Sequence, residues 1–478
     1  MTDYPDTKLF IDGSWRPGSA GRTLAVINPA TEQQIGMVAC AEIADLDAAI
    51  RAAAKGFETW RATSPLERSG LMRRAADLLR ERVDEIAPRL TLEQGKPLAQ
   101  SQVEIRIAAD TIDWFAEEAR RTFGLVIPAR QPGVTQMMVK RPVGPVAAFT
   151  PWNFPVTQTV RKLAMALASG CSIIVKAPEE TPASTAALIR AFADAGLPDG
   201  VVSLVYGDPA QISEFLIPHP VIRKISFTGS VGVGMHLASL AGRHMKRATL
   251  ELGGHAPVIV TADADIDVAV KTMAAHKFRN AGQVCVAPTR FLVEEVVADR
   301  FTEQFVDEVS RITVGNGLEQ DVTMGPLANA RRIPALQELI DDAVENGAVL
   351  RIGGRRINNI GYFFEPTVLT NVPISARIQN EEPFGPVALI NRFSTLDEAI
   401  TEANRLPFGL AAYAWASNSR AITRLSEEVE AGMITINHLG LALPETPFGG
   451  IKHSGYGSEG GPQAIEAYLD TRFITQKV

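Results

Sequence analysis

A single cysteine stands where its thiol can meet a substrate. Cys285 follows the stretch Phe278 to Gln283, in which Asn280-Ala-Gly282 closes a helical run and leaves the cysteine on a loop. A cysteine thiolate is a strong nucleophile, so this side chain can attack an electrophilic carbon. Buried cysteines are more often small apolar core residues, and the thiol alone does not decide between the two roles.

Two other residues have types suited to carbonyl chemistry. Glu251 ends a strand in Glu-Leu-Gly-Gly, where its carboxylate can act as a general base or simply belong to a turn at a domain boundary. Asn153 lies in Pro-Trp-Asn-Phe-Pro, directly after strand Val146 to Phe149, and its amide can donate to a developing oxyanion. The prolines and aromatic residues around it are equally compatible with a packed corner.

Two stretches have features of a nucleotide site. Gly229-Ser230 opens a glycine-rich segment between a strand and a helix, where free backbone N–H groups can bind a pyrophosphate, although Leu237 stands where the usual fingerprint has a third glycine. Glu179 follows the strand ending at Lys176, so its carboxylate can accept from ribose hydroxyls and repel a 2′-phosphate, which favours NAD over NADP. A surface ion pair of Lys176 and Glu179 is the alternative.

The elements that must position these residues predict an α/β protein. Strands at 146–149, 172–176, 201–205 and 222–227 alternate with helices at 157–168 and 182–195, a pattern typical of a parallel sheet covered on both faces. After Gly254 a second α/β region follows, with helices at 268–281, 298–309 and 333–345 and strands at 290–294, near 350, 368, 387 and 414, and at 434–437. Ligands of such sheets bind beyond the carboxyl ends of the strands.

The remaining segments are predicted to be helical near the N-terminus, and extended both ahead of the first α/β region and at the C-terminus. Helices are predicted at 44–60, from the capping box at Ser64 toward Leu90, and at 101–121, with a stop at Gly95-Lys96-Pro97. The stretch Phe123 to Val143 is predicted to form an extended hairpin. The strand-like segment Phe473 to Val478 can extend a sheet with it or with another subunit.

Composition excludes several classes of function. The 478 residues are 46% hydrophobic, enough for at least two domains, and the net charge of −7 leaves no electrostatic footprint for nucleic acid or an anionic membrane. Met1 to Phe10 lacks the pattern of a signal peptide and no stretch is apolar enough to span a bilayer, so we expect a cytoplasmic protein. Cys40, Cys171 and Cys285 are far apart and no His-Glu-x-x-His occurs, so we expect neither disulfides nor a metal site.

Seven motifs occur together in one order. They are PWNFP at 151, KAPE at 176, FTGSxxxG at 227, ELGG at 251, GQVC at 282, EEPFGPV at 381 and PFGGxKxSGxG at 447. In order and spacing, over nearly the whole chain, they resemble the NAD(P)-dependent aldehyde dehydrogenases. The similarity is closest to the 2-oxoglutarate-semialdehyde and succinate-semialdehyde dehydrogenases, notably in FTPWNFPV, IVKAPEETPAS and KFRNAGQVC.

The resemblance implies a Rossmann-like coenzyme domain, an α/β catalytic domain and a bridging hairpin used in homodimers or homotetramers. The corresponding limits are residues 1–122 and 143–253 for the coenzyme domain, 254–462 for the catalytic domain, and 123–142 with 463–478 for the oligomerisation segment. It further implies that NAD, or alternatively NADP, is the coenzyme and a small aldehyde the substrate.

The resemblance also assigns roles to residues. Cys285 is the nucleophile, Glu251 the base, and Asn153 with the Cys285 backbone N–H the oxyanion hole, while Lys162 and Glu459 match positions linked to proton movement. The coenzyme contacts implied are Trp152, Lys176, Glu179, Gly229, Ser230, Gly253, Glu382 and Phe384.

The substrate is expected to carry a carboxylate. Arg161 and Arg279 flank the catalytic centre in sequence, can clamp a carboxylate, and resemble the substrate arginines of succinate-semialdehyde dehydrogenases; Phe154 is assigned to the same pocket. Structural salt bridges are the alternative for either arginine. Leu441-Ala-Leu-Pro444 replaces a loop that often contains a serine in that subgroup, and Val286-Ala287 lacks the second cysteine of a regulatory disulfide. The competing interpretations are a broad-specificity aldehyde dehydrogenase, a CoA-acylating aldehyde dehydrogenase and a non-catalytic binding module.

Overall fold

The structure is a computed structural model that describes residues 4–477, so Met1 to Asp3 of the predicted N-terminal segment and Val478 of the predicted C-terminal strand lie outside the described residues. Its strands are β1 Leu9–Ile11, β2 Ser14–Arg16, β3 Thr23–Ile27, β4 Gln34–Ala39, β5 Leu125–Ile127, β6 Val134–Pro142, β7 Val146–Phe149, β8 Ile173–Lys176, β9 Val202–Val205, β10 Lys224–Gly229, β11 Arg247–Leu252, β12 Ala256–Val260, β13 Pro288–Glu294, β14 Val349–Ile352, β15 Thr367–Thr370, β16 Val387–Phe393, β17 Ala411–Trp415, β18 Met433–Ile436, β19 Gly455–Tyr456 and β20 Leu469–Lys477.

The α-helices connect and cover these strands. They are α1 Ile43–Ala62, α2 Pro65–Glu81, α3 Val83–Gln94, α4 Leu98–Glu118, α5 Pro155–Ser169, α6 Pro182–Asp194, α7 Pro209–Leu216, α8 Val231–Arg243, α9 Ile266–Phe278, α10 Glu295–Ser310, α11 Arg332–Glu345, α12 Leu396–Asn404 and α13 Ser419–Glu428. Short 3₁₀ turns occur at Arg279–Gly282, Arg377–Gln379, Lys452–Ser454 and Pro462–Tyr468.

The first large sheet has the strand order β19-β11-β10-β7-β8-β9-β1-β2. Its five central strands are parallel, and the strands next to them on either side, β1 and β19, pair antiparallel. Every residue of β7, β8 and β9 is buried, as a parallel sheet covered on both faces requires. The predicted α/β class is confirmed, and β7 has the bounds predicted from the sequence.

The second large sheet has the order β14-β15-β16-β13-β12-β17-β18 and is parallel except for β14. It packs against two apolar clusters of its own, built from residues between Ala256 and Phe448, whereas the core of the first sheet includes residues from Leu9 to Leu252. Separate cores explain why a chain of this length folds around two sheets.

The C-terminal segment returns to the first half of the molecule. In β19, Gly455 pairs with Glu251 and Tyr456 with Leu250, and Tyr468 is buried in the core of the first sheet. β19 therefore belongs to the first sheet, although the predicted limits assign residues 254–462 to the catalytic domain. β20 then pairs with β6 along its whole length, from Leu469 opposite Pro142 to Lys477 opposite Val134. The domain limits and the oligomer remain predictions.

The N-terminal helices differ from prediction at one point. The predicted helix from Ser64 toward Leu90 is two helices, because Arg82 leaves helical geometry with φ −96° and ψ 10° between α2 and α3. The capping box is present: Ser64 Oγ accepts from the Glu67 N–H at 3.2 Å, and the Glu67 carboxylate accepts from the Ser64 N–H at 3.0 Å. Gly95, with φ 99°, ends α3 as predicted.

Two structural features bear on the classes of function. Among residues 4–477, none of the helices combines the length and apolar character needed to cross a membrane. Over the same residues, no group of three or more histidine, cysteine, aspartate or glutamate side chains is arranged to hold a metal ion.

Candidate active site

The loop that carries Cys285 has a backbone few residues can adopt. After α9, Asn280 and Ala281 both take the left-handed conformation with φ 51° and ψ 36°. Gly282 follows with φ 69°, and a Cβ there would lie 2.1 Å from the Gly385 carbonyl oxygen, so this position requires glycine. The turn leaves the half-buried Cys285 on the loop before β13. Such local strain is typical of functional sites.

The thiol of Cys285 is protonated at neutral pH in this environment. Burial raises its pKa to about 12, and the nearby carboxyls of Glu382 and Glu251 act in the same direction. The backbone N–H groups of Cys285 and Val286 act in the opposite direction. Because the thiolate is the nucleophile, the thiol has to pass its proton to a base when substrate binds.

Glu251 is a buried carboxyl without hydrogen-bond partners. It lies in β11, and neither of its side-chain oxygens contacts a donor. Burial raises its pKa well above the usual range and Glu459 adds to this, whereas Lys162 and Arg161 oppose it. A Cβ at Gly449 would stand 3.3 Å from Oε1, so the Pro447 to Gly450 loop packs directly against it. An unpaired buried carboxyl is costly and indicates a role in binding or proton transfer.

A buried ion pair lies beside β10, the neighbour of β11. Lys162 Nζ contacts both carboxylate oxygens of Glu459 at 2.7 Å and Thr228 Oγ1 at 2.6 Å. Ser226 Oγ donates to Glu459 Oε1 at 2.7 Å. Since Thr228 is the register partner of Glu251, the pair predicted for proton movement lies close to the predicted base. The C-terminal segment delivers Glu459 to this position.

Asn153 is tied to the loop of the cysteine. Its Nδ2 donates to the Gln283 carbonyl at 3.0 Å, and its Oδ1 is buried without a partner. An amide nitrogen carries two N–H groups, so one remains for an oxyanion formed on a substrate bound to Cys285. The backbone N–H of Cys285 interacts with its own thiol, and its part in an oxyanion hole stays a prediction.

The carboxyl edge of the first sheet fits a dinucleotide. Lys176 Nζ contacts the Glu179 carboxylate at 2.8 Å, and the Gly207 N–H donates to the same carboxylate at 2.8 Å, so Glu179 is fixed at the end of β8. Gly229 ends β10, and Ser230 precedes α8 with its side chain exposed. The N-terminus of α8 therefore has free amides of the kind that bind a pyrophosphate, and Glu179 lies two strands away at the same edge of the sheet.

The other predicted coenzyme residues gather between the two sheets. Glu382 accepts from the Gly254 N–H at 3.3 Å, and burial raises its pKa to about 7. A Cβ at Gly253 would lie 2.4 Å from Glu382 Oε2, so any larger residue there would displace the Glu382 carboxyl. The rings of Trp152 and Phe384 meet edge to face with centroids 5.7 Å apart.

The two predicted substrate arginines have different surroundings. Arg161 is buried, with Nη2 donating to the Ala442 carbonyl at 2.6 Å, Nη1 to the Glu459 carbonyl, and its guanidinium 4.8 Å from the Phe448 ring centroid. Arg279 is half-buried, its Nε has no partner, and its guanidinium lies 5.2 Å from the Phe154 ring centroid. Arg161 thus holds the loop around Ala442, whereas the Arg279 Nε is a buried donor without a hydrogen-bond partner.

Sequence reasoning missed a polar group next to Asn153. Lys96, interpreted only as part of a helix stop, donates from Nζ to the Asn153 carbonyl at 2.7 Å and contacts Glu104 at 2.5 Å. The signal for it was a lysine between glycine and proline ahead of a buried helix, where an exposed residue would be usual.

The chain is similar to known proteins over nearly its whole length. The model of the aldehyde dehydrogenase family matches residues 15–474. The chain is 50% identical over 471 residues to the 4-(hydroxymethyl)benzenesulfonate dehydrogenase of Comamonas testosteroni, covering 98% of each chain. It is 42% identical to the glutarate-semialdehyde dehydrogenase of Pseudomonas putida, covering 98% of this chain and 97% of that one. The crystal structure of the succinate-semialdehyde dehydrogenase of Burkholderia pseudomallei matches with a TM-score of 0.97 at 41% identity, covering 99% and 98%.

Proposed function

Because the chain belongs to the aldehyde dehydrogenase family, whose members use NAD or NADP, we propose that it oxidises a short aldehyde bearing a second, anionic group. The substrates we favour are succinate semialdehyde and 2-oxoglutarate semialdehyde, which yield dicarboxylates. The single observation that carries this choice is Arg279, whose half-buried guanidinium has an unpartnered Nε beside the cysteine loop. A guanidinium in partial burial binds a carboxylate strongly through paired hydrogen bonds.

The chemistry follows from the chain's own residues. Cys285 passes its thiol proton to solvent water, or to Glu251 and from there to solvent, and the thiolate attacks the aldehyde carbon. The alkoxide of the resulting thiohemiacetal accepts from the Asn153 amide and the Cys285 N–H. A nicotinamide coenzyme held at the carboxyl edge of the first sheet would supply the hydride acceptor, and loss of the hydride from that carbon would leave a thioester on Cys285. Glu251 takes a proton from water as the water attacks the thioester, and the acid departs with the thiol restored.

Hydrolysis rather than transfer to CoA is favoured by Glu251. A CoA-acylating enzyme needs no base to activate water, yet this chain keeps a buried carboxyl without partners in β11. The cost of burying such a group supports a role in the hydrolytic step. Turnover in the absence of CoA distinguishes the two reactions.

A second substrate class has its own support. The 50% identical relative acts on a benzenesulfonate with a one-carbon substituent. In this chain Leu441 and Ala442 pack against the second core while Leu443 is 45% exposed, so the loop before Pro444 offers apolar surface. An aromatic aldehyde with a sulfonate, such as 4-formylbenzenesulfonate, would suit this loop and present its anion to Arg279.

For the coenzyme we propose a preference for NAD, with NADP as the weaker alternative. The Glu179 carboxylate lies where ribose hydroxyls are bound in such sheets, and its negative charge repels that of a 2′-phosphate. We also propose a homodimer or homotetramer, supported by the three-stranded sheet of β20, β6 and β5, whose strand β5 is exposed at every residue.

A panel of aldehydes assayed with NAD and with NADP tests the proposal. Succinate, glutarate and 2-oxoglutarate semialdehydes and 4-formylbenzenesulfonate are compared with butanal and benzaldehyde, their uncharged counterparts. We expect kcat/KM for the best acid to exceed that of its counterpart by about tenfold to a hundredfold, the effect of a charge-assisted hydrogen bond. Equal efficiency for butanal and succinate semialdehyde would replace the proposal with broad-specificity oxidation.

A further inference from the structure

A buried ion pair that the proposed chemistry does not use lies beneath Asn153. The side chains of Lys96 and Glu104 are 0% and 1% exposed, and Lys96 Nζ lies 2.5 Å from Glu104 Oε2. The second oxygen, Glu104 Oε1, accepts from the N–H groups of Val156 at 3.0 Å and Thr157 at 3.3 Å, in the first turn of α5. The pair thus joins the start of α4 to the start of α5, directly after Asn153.

Lys96 closes a ring of hydrogen bonds around the Asn153 carbonyl. Its Nζ donates to that oxygen at 2.7 Å, and Asn280 Nδ2 donates to the same oxygen at 3.0 Å. Asn280 Oδ1 accepts from Gln94 Nε2 at 2.8 Å, and Gln94 Oε1 accepts from the Lys96 N–H at 2.9 Å. The ring links the peptide that carries the Asn153 amide to the left-handed turn before Cys285.

Lys96 also reaches the substrate side of the site through Phe154. Its Nζ lies 3.9 Å from the Phe154 ring centroid, and the Arg279 guanidinium lies 5.2 Å from the same centroid. One half-buried ring therefore contacts both cations, and each is attracted to the negative face of the aromatic system. A shift of Lys96 moves the ring on which Arg279 rests.

We propose that Lys96 is a positioning residue that sets both the Asn153 amide, through the Asn153 carbonyl, and the Arg279 guanidinium, through the Phe154 ring. The inference rests on the proposed function, since it assumes that Asn153 and Arg279 face the substrate. Burying an ion pair costs more free energy than apolar residues of similar size, so its retention here is explained by orientation rather than by stability. Lys96 touches neither substrate nor coenzyme in this account.

The test replaces the pair by uncharged residues of similar size. In the full-length double variant Lys96→Met/Glu104→Gln, we expect kcat to fall about tenfold or more for succinate semialdehyde and butanal alike, because the oxyanion donor is misplaced. KM should rise about tenfold for succinate semialdehyde and stay within about twofold for butanal, because only the acid needs Arg279.

A second buried pair provides the matched control. Arg290 and Glu402, 3.0 Å apart in the second half of the chain, are removed in Arg290→Met/Glu402→Gln. Thermal unfolding is measured for both double variants to show that they fold, and only the first should change kcat for butanal and the ratio of the two KM values. Equal kinetic changes in the two variants, or wild-type kinetics in the first, would overturn the proposal.

The variant Lys96→Arg tests the same proposal if Lys96→Met/Glu104→Gln does not fold. Arginine retains the buried charge, but its planar fork does not place one donor on the Asn153 carbonyl and over the Phe154 ring. We expect kcat to fall for both aldehydes and KM to rise for succinate semialdehyde, each by a smaller factor than in the double variant. Wild-type values of both constants would refute the inference. If wild-type protein oxidises butanal as well as succinate semialdehyde, the proposed substrate class fails, yet the kcat change for butanal still tests the link from Lys96 to Asn153.

Discussion

Trp152 and Phe384 contact each other edge to face, at 5.7 Å between ring centroids and 88° between ring planes. Trp152 follows β7 of the first sheet, and Phe384 precedes β16 of the second. Phe384 has φ 41°, a conformation that bulky residues adopt only where the surrounding structure enforces it. The contact thus joins the segment after β7 of the first sheet to the segment before β16 of the second.

Replacing the nucleophile should abolish oxidation without unfolding the protein. We expect Cys285→Ser to lose NADH formation, including the first turnover, because a serine hydroxyl lacks the nucleophilicity of a thiolate. The measurement is rapid-mixing absorbance of NADH with succinate semialdehyde. Cys171→Ser is the control: this buried cysteine lies 3.5 Å from the Tyr468 carbonyl, away from the loop, and should retain turnover. A burst in Cys285→Ser would remove the covalent mechanism.

Replacing the base should separate the two halves of the reaction. Glu251→Gln is expected to slow hydrolysis of the thioester, with a fall of about 10² to 10⁴ in steady-state rate, the usual contribution of general base catalysis. A burst of one NADH per active site should remain if another group or solvent accepts the thiol proton. Mass spectrometry of the quenched protein should then detect the acyl group on Cys285. Unchanged steady-state turnover would contradict the assignment.

The two arginines should respond differently to truncation. Arg279→Ala is expected to raise KM for acid aldehydes about tenfold or more and to leave butanal unaffected, because it removes a donor to the carboxylate. Arg161→Ala should impair both aldehydes, since Arg161 holds the Ala442 carbonyl and the Pro444 loop in place. Steady-state kinetics with both substrates distinguish these outcomes. A KM effect confined to acids in Arg161→Ala would assign the anion to that residue.

The coenzyme preference should shift when one charge is removed. In Glu179→Gln the side chain keeps its size and its acceptor for the Gly207 N–H, but it no longer repels a 2′-phosphate or neutralises Lys176. We expect the ratio of kcat/KM for NADP to that for NAD to rise about tenfold, equivalent to about 1.4 kcal/mol. An unchanged ratio would mean that the adenosine ribose binds elsewhere.

The reactivity of the free thiol should rise steadily with pH. With a pKa of about 12, caused first by burial and then by Glu382 and Glu251, the thiolate fraction of Cys285 increases tenfold per pH unit up to at least pH 10. The rate of alkylation by iodoacetamide, followed by peptide mass spectrometry without coenzyme, should therefore not level off between pH 6 and about pH 10. A plateau near pH 8 would show that the resting thiol is already activated.

Much of the framework was predictable because local chemistry fixes it. The strand 146–149 is fully buried and apolar, and the segments that follow alternate regularly, so the parallel sheet was evident. Gly95 and Ser64 carry helix-end chemistry that acts over a few residues. The break at Arg82 has no such signal, since neither glycine nor proline marks it and the apolar spacing continues through it.

The features that could not be predicted from the sequence depend on contacts between residues that are distant in the chain. Glu459 and Lys162 form an ion pair although 297 positions separate them in the sequence. Residue spacing does not predict this pair, and only the resemblance to the family indicated it. Lys96 lies 57 positions from Asn153, and its burial depends on how α4 and α5 pack. Helix α7 escaped notice because its eight residues between Pro209 and Leu216 span too few turns for a clear periodic pattern.

The return of the C-terminal segment to the first sheet has a consequence for synthesis. Because β19 pairs with Glu251, and Glu459 follows β19 by three positions, nearly the whole chain has to leave the ribosome before Glu251 acquires its surroundings. The first sheet, although its synthesis begins first, is therefore completed last. A nascent or proteolytically shortened chain ending before Gly455 would have the cysteine loop but not the ion pair of Lys162 with Glu459, and under the proposed mechanism it would form no hydrolytic site.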